Sequence, residues 1–400
     1  MLSVFPGIII EGARQVGKST LATMLAPSAR LANLDEDAVR SAAQADPALL
    51  VTSDRTIIID EIQRLPELTL AVKTSIDNDR RPGRFILTGS SSLLKVKGLA
   101  DSLVGRVGRL TLYGLSRGEM AGHLDDFASA ALRLAKDDSA VVDFHTTTSR
   151  QDYATMLEKG SYPEAITLTP RVRGLWYDSY LTGMVFRDLH EQRTQYDPER
   201  GLAVIRVLAG HPASELVLAH LARDARIPVT TAAGYVDLFR STGIVASIPP
   251  WTPNLSKRES GRPKTFVLDA GLALRTARIT ASQLLATENL ESFGCFLEAM
   301  VDAELLKQQS WSASEHTIFH FRDRNGWEVD ALLELAGGGV IGIEVKASTT
   351  FKGDQFNGLR RLRDSLGPRF VAGFVLNTGQ VGYRYAERLY GLPIAALWEL

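Results

Sequence analysis

The stretch GIIIEGARQVGKST, Gly7–Thr20, decides the fold of the N-terminal part of this chain. Three consecutive isoleucines, Ile8-Ile9-Ile10, read as a strand buried on both faces, which is the habit of a parallel sheet. The spacing G-x-x-x-x-G-K-[ST] follows at once, and an apolar-periodic stretch from Thr20 to Leu25 continues as a helix. Gly12 and Gly17 let the backbone curl so that the N–H groups of Gly12, Ala13, Arg14, Gln15, Val16 and Gly17 turn toward phosphate oxygens. Lys18 reaches the β- and γ-phosphates, the Ser19 hydroxyl sits on Mg²⁺, and Thr20 closes the loop onto the helix. A bare strand-to-helix turn is the competing reading, and a second motif weighs against it.

That motif is TIIIDEIQRL, which repeats the pattern of a fully buried strand, Ile57 to Ile59, and ends in two acids. Open α/β sheets bind ligands at the carboxyl ends of their strands, where Asp60 and Glu61 fall. Asp60 is placed to hold the metal through Ser19 and water, and Glu61 to orient or activate the attacking water. A third buried strand, in RFILTGSSSLL, ends in hydroxyls: Ser90, or else Thr88, is a candidate sensor of the γ-phosphate. Before a further strand at Arg109–Ser116, LVGRVGR offers an arginine finger for a neighbouring subunit's nucleotide, Arg106 first and Arg109 second. A finger acting in trans implies a homo-oligomer, with a ring or hexamer among the forms open to it.

Composition sets the bounds. The 400 residues suggest two to four domains at the usual size of roughly 100–200 residues. Hydrophobic residues at 45% and charged residues at 23% are ordinary globular values, with ample apolar material for several cores. A net charge of −1 gives no whole-molecule attraction for polyanions, so any nucleic-acid surface must be a local patch. The single cysteine, Cys295, excludes an internal disulfide and a cysteine-rich zinc site, and suits a reducing cytoplasm. No apolar run approaches the ~20 residues of a membrane span, and no signal peptide is legible. The chain enters its first strand almost at once, so an N-terminal arm missing from this start is expected.

Residues from about 117 to 190 are helical in pattern, a connector or lid in which Arg187 and Asp188 read as a structural ion pair. From about 200 to 268 the order is helix, helix, turn, helix, strand, strand. Thr231 to Arg240 is the candidate recognition helix of a winged-helix-like module. Lys257, Arg258, Arg262 and Lys264 cluster around Gly261 as the basic tip of a wing touching phosphates.

The last third holds HTIFHFRDRNGWEVDALLEL, a glycine turn and VIGIEVKAS, a hairpin by pattern. Strand alternation puts Glu344 and Lys346 on one face, and the turn near Gly337 sets Asp330 opposite Glu344. Two carboxylates and a lysine so arranged are the D…(D/E)-x-K pattern of metal-dependent nucleases, in which the acids hold Mg²⁺ or Mn²⁺ and the lysine serves the attacking water. Gln355 offers a later polar contact, and the basic Arg360, Arg361 and Arg363 follow as phosphate contacts.

GARQVGKST, IIIDEIQRLPEL and FILTGSS together resemble P-loop ATPases of the AAA+ type. With LYGLS, GSYPEA, YVDLFRSTGIV, PKTFVLDAGL and IGIEVKAS, nearly the whole chain resembles a bacterial and archaeal family of ATP-binding proteins with an AAA-type N-terminal domain and a C-terminal domain of unknown function, DUF4143. The resemblance implies an α/β protein: an ATPase domain over 1–116, a helical connector over 117–195, a winged-helix-like module over 196–270 and a restriction-endonuclease-like domain over 271–400. Glu298 resembles the first-helix acid of that last fold, reaching toward the same metal. The resemblance implies no settled biological role; the residues themselves lead to the expectation of ATP hydrolysis joined to nucleic-acid binding, DNA before RNA, with the D…(D/E)-x-K site as a candidate for its cleavage. The alternatives are an ATP-driven DNA-binding switch or remodeller with a silent nuclease-like domain, and a nucleotide-gated protein scaffold.

Overall fold

The computed structural model describes residues 1–89, 103, 105–136, 143–189, 196–253, 258, 261–323 and 326–400. Ser90 and Lys257 lie outside the described residues, as do the side chains of Arg187 and Asp188. The chain divides into two compact units, Met1–Gly114 with Ser241–Ile244, and Leu115–Arg240 with Val245–Leu400.

The first unit is built on a five-stranded parallel sheet of β1 (Gly7–Glu11), β2 (Arg30–Asn33), β3 (Ile57–Asp60), β4 (Phe85–Gly89) and β5 (Val107–Thr111), in the order β2-β3-β4-β1-β5. The strand that carries Asp60 is therefore separated from the P-loop strand by β4. Alternation along each isoleucine run feeds two cores. Ile9, Ile57, Ile59, Phe85 and Leu87 join one, and Ile8, Ile10, Ile58 and Ile86 the other. Each such side chain gives about 1.5–3 kcal/mol on burial, which fixes the register of the strands and the position of the loops at their ends.

In the second unit, β6 (Ser214–Glu215), β7 (Val245–Ile248) and β8 (Lys264–Val267) form a small sheet with β8 in the middle. Helices Pro198–Gly210, Leu218–Asp224 and Val229–Ser241 interleave with these strands in the order helix, β6, helix, helix, β7, β8. The larger sheet contains β9 (His316–Arg322), β10 (Glu328–Leu335), β11 (Val340–Lys346), β12 (Phe370–Asn377), β13 (Tyr383–Ala386) and β14 (Leu389–Pro393). Its order is β13-β14-β12-β11-β10-β9. Neighbours from β9 to β11 are antiparallel, β11, β12 and β14 run parallel, and β13 is antiparallel to β14. The long helix Leu290–Gln309 contacts β9 and β11, and helix Asn357–Leu366 packs on the strands β10, β11 and β12. The protein is thus a mixed α/β fold with a P-loop-like parallel sheet and two further sheets. Among the described residues no helix is long and apolar enough to cross a membrane.

Candidate active sites

The P-loop follows β1 and leads into helix Lys18–Leu25. A Cβ at Gly12 would collide with the Leu112 carbonyl oxygen, so only glycine fits beside the end of β5. Gly17 caps the helix at φ 99°, the left-handed region that favours glycine, and Gln15 also has positive φ, at 63°. Lys18 is buried, and its Nζ donates to the carbonyls of Gly12 (3.2 Å) and Ala13 (2.9 Å). Burial lowers its pKa, while Glu61 and Asp60 oppose that shift. Ser19 Oγ lies 2.9 and 2.8 Å from the two oxygens of Asp60. These are the donors a hard cation takes, an alcohol and a carboxylate already facing one another, and they fit Mg²⁺.

Glu61 follows Asp60 with a left-handed backbone, φ 56°, and its side chain accepts from Gln63 Nε2. Its N–H donates to Thr88 Oγ1 at 3.1 Å, and the Thr88 hydroxyl donates in turn to Asp60. Thr88, wholly buried at the end of β4, is the hydroxyl that ties the two acids together. Of the two hydroxyls expected at this strand end, Ser90 lies outside the described residues. Arg109 is paired with Glu11 at 2.6 Å, and Arg106 with Asp77 at 2.8 Å.

In the second unit the pairing of Ala331 with Ile343 sets Asp330 and Glu344 next to each other along the same ladder. Asp330 Oδ2 accepts the Val345 N–H at 2.7 Å. Lys346 Nζ lies 2.8 Å from Glu344 Oε2 and 3.8 Å from Asp330 Oδ2. Gly358 allows a helix to come this close, since a Cβ there would meet Glu344 Oε1 at 2.9 Å and the Glu328 carbonyl at 2.7 Å. Burial, together with Asp330, raises the pKa of Glu344 well above the carboxylate range. Burial would lower that of Lys346, but Asp330 and Glu344 outweigh it and raise it.

The structure corrects two residues assigned to the wing. Lys264, expected to touch phosphate, is buried on the central strand β8, with its Nζ turned into the acids. It lies 2.5 Å from Glu298 Oε1, 3.1 Å from Asp302 Oδ2 and 2.5 Å from the Asp330 carbonyl oxygen. A buried ammonium needs acceptors to offset its lost hydration, and these three provide them. Arg258 is held between Glu334, at 2.5 and 3.0 Å, and the rings of Trp251 and Phe319. Two hydrogen bonds and two aromatic faces draw it inward, where it is not presented to solvent as a phosphate contact would be.

Asp302 is the acid that sequence reasoning missed. It sits one turn beyond Glu298 on the Leu290–Gln309 helix, and that i, i+4 spacing was its only signal. Burial raises Glu298 to about 8 and Asp302 to about 6, with Asp330 adding to the rise and Lys264 working against it. The expected metal set therefore does not fit as the chain is folded: the Lys264 ammonium stands between Glu298 and the Asp330 backbone. Among the described residues no group of three or more His, Cys, Asp or Glu is arranged to hold a metal ion.

Arg262 is exposed. Arg360 donates to the Gly353 carbonyl and lies over Tyr385, while Arg361 lies 3.5 Å from the ring centre of Trp327. Arg363 pairs with Asp364, and Gln355 donates to Ser348 Oγ at 3.1 Å.

Residues 5–121 match the model of a family described as an AAA domain, residues 150–283 a domain of unknown function, DUF8612, and residues 293–397 a domain of unknown function, DUF4143. Uncharacterized proteins of Mycobacterium bovis and Mycobacterium tuberculosis are each 29% identical over 347 residues, covering 86% of this chain and 71% of theirs. A solved signal transduction ATPase with numerous domains and a tetratricopeptide repeat sensor, from Pyrococcus horikoshii, aligns at 12% identity over 75% of this chain and 43% of its own, with a TM-score of 0.19. This chain spans less than half of that protein, and so low a score carries no argument about the fold. The chain is therefore similar to AAA domains in its N-terminal part and to DUF4143 domains in its C-terminal part.

Proposed function

We propose that the protein is an ATP-driven, cytoplasmic DNA-binding switch. The observation that carries this reading is the facing pair of Ser19 and Asp60, with Lys18 buried beside them. Lys18 exchanges its two carbonyl contacts for phosphate oxygens, to which the P-loop N–H groups also donate. Ser19 and Asp60 would hold Mg²⁺, which would neutralise charge on the phosphates. Glu61, released from Gln63, takes a proton from the attacking water.

The winged-helix order of the second unit supports DNA as the partner. Arg262, Arg360, Arg361 and Arg363 are the residues assigned to phosphate. Binding of duplex DNA by the full chain, followed by anisotropy at low and high salt with ATP or ADP, tests the reading. Affinity should differ between the nucleotides, and the Lys18→Ala variant should lose that difference. A chain that binds no duplex at low salt in either state ends it.

A metal-dependent nuclease is the second reading, favoured by Asp330, Glu344 and Lys346 standing side by side. Nicking of plasmid with Mg²⁺ or Mn²⁺, lost in Asp330→Ala, is its test. As a second proposal about assembly, Arg106 acts as a finger on a neighbouring copy's nucleotide, for which its pair with Asp77 must open.

A further inference from the structure

The nuclease-like site asks for a cation among its acids, and the chain already has one there. We propose that Lys264 is the resident cation of this site: it excludes divalent metal from the folded wild-type protein, and removing its charge lets Glu298, Asp302 and Asp330 close on a divalent cation instead. The proposal rests on the nuclease-like arrangement of β10 and β11 but is opposed to metal-dependent cleavage by the wild type, so nicking with Mg²⁺ that Asp330→Ala abolishes overturns it; it is independent of whether the protein binds DNA.

The geometry is that of a cation seat. An ammonium has three protons to donate, and the Glu298, Asp302 and Asp330 oxygens take one each, so Lys264 has no hydrogen-bonding capacity left over. The acids do have some left. Asp302 is 1% exposed, and its Oδ1 is buried without a hydrogen-bond partner. A hard divalent ion takes six or more oxygens where the ammonium takes three, and would engage what the ammonium leaves idle.

Nor is Lys264 carried on a loop that can swing away. It begins the central strand β8, paired on one side with Glu215 and on the other with Ile248. Phe266, two residues on, is fully buried and anchors the strand. The positive charge is therefore a fixed part of the site, as a structural metal would be. In the wild-type fold the cation beside Glu298 and Asp302 is one that cannot activate water.

Mn²⁺ binding to the full chain, measured by electron paramagnetic resonance without nucleotide, tests this. Wild type should bind no Mn²⁺ at the second unit. Lys264→Met should bind one ion at least about tenfold more tightly than wild type, a difference of about 1.4 kcal/mol, and adding Asp330→Asn should abolish it. Lys264→Gln removes the charge but keeps a donor for the Asp330 carbonyl and leaves every acid in place. It should fold where Lys264→Met does not, and it should gain the same site. Wild-type binding of one Mn²⁺ that Asp330→Asn removes overturns the proposal. So does a folded variant, shown by its thermal melt, that gains no ion. A gained ion that survives Asp330→Asn sits elsewhere, and overturns both the proposal and the nuclease-like reading beneath it.

Discussion

The Thr88 hydroxyl donates to the Asp60 carboxylate and accepts the Glu61 N–H at 3.1 Å, so one side chain of β4 sets both acids at the end of β3. Glu61 leaves the strand with a left-handed φ of 56°, and this amide contact is what holds the turn there. Thr88→Val keeps the shape and removes the hydroxyl. Its kcat for ATP should fall about 10–100-fold with little change in ATP affinity, on the scale of a lost partner that orients an active group. Thr88→Ser should recover most of the rate. A steady-state comparison checks this, and an unchanged kcat in Thr88→Val would show that the contact is only structural.

Lys18→Ala should lose ATP binding, because it removes the point charge on the phosphates and leaves the Gly12 and Ala13 carbonyls without their donor. Glu61→Gln should bind ATP normally and turn it over about 10²–10⁴-fold more slowly, the usual scale of general-base loss. Equilibrium binding of a fluorescent ATP analogue, alongside phosphate release, separates the two effects.

Arg106→Ala should retain ATP binding and lose hydrolysis, by about 10³-fold if the finger acts as in the best-characterised systems. ATP should then also promote a homo-oligomer, measurable by sedimentation. A monomer with ATP and full turnover would refute the role in trans.

Arg258→Ala separates a buried pair from a DNA contact. Losing the two bonds to Glu334 should cost about 1–3 kcal/mol of stability, as hydrogen bonds to charged groups do. DNA affinity should hardly move. Arg361→Ala should do the reverse, leaving the melt near wild type while reducing the salt slope of DNA binding by about 1.

His320 carries the clearest pH signature. Burial lowers its pKa to about 4, Lys264 adds to that, and the Arg262 carbonyl at 3.0 Å works the other way. Below its ordinary 6.5 the unfolded chain takes up a proton that the folded chain refuses down to about 4. This group therefore costs stability as pH falls through that window, up to about 3 kcal/mol at its lower end. Glu298 and Asp302, raised to about 8 and about 6, hold protons in the folded state and act in the opposite sense. The measurement is the wild-type stability curve minus that of His320→Gln, which should slope downward from pH 6.5 to pH 4 and be flat above. The ring should titrate near 4 by NMR.

Local sequence determined what local chemistry can. The isoleucine runs wrote β1 and β3, Gly12 and Gly17 wrote the loop between β1 and its helix, and strand alternation with a glycine turn put Asp330 beside Glu344. In each case the cause lies within a few residues of the effect: burial on both faces, positive φ, a period of two. What no window of sequence could decide was which distant groups share a buried volume. Lys264 reads as one more cation in a basic loop until β8 is seen to carry it into contact with Glu298, 34 residues away, and with Asp330, 66 residues away. Thr88 is only a hydroxyl after a buried run until β4 settles between β1 and β3 and turns it toward Asp60. A charge withdrawn from water must find its partners wherever the packed chain brings them, and that is a property of the tertiary structure alone.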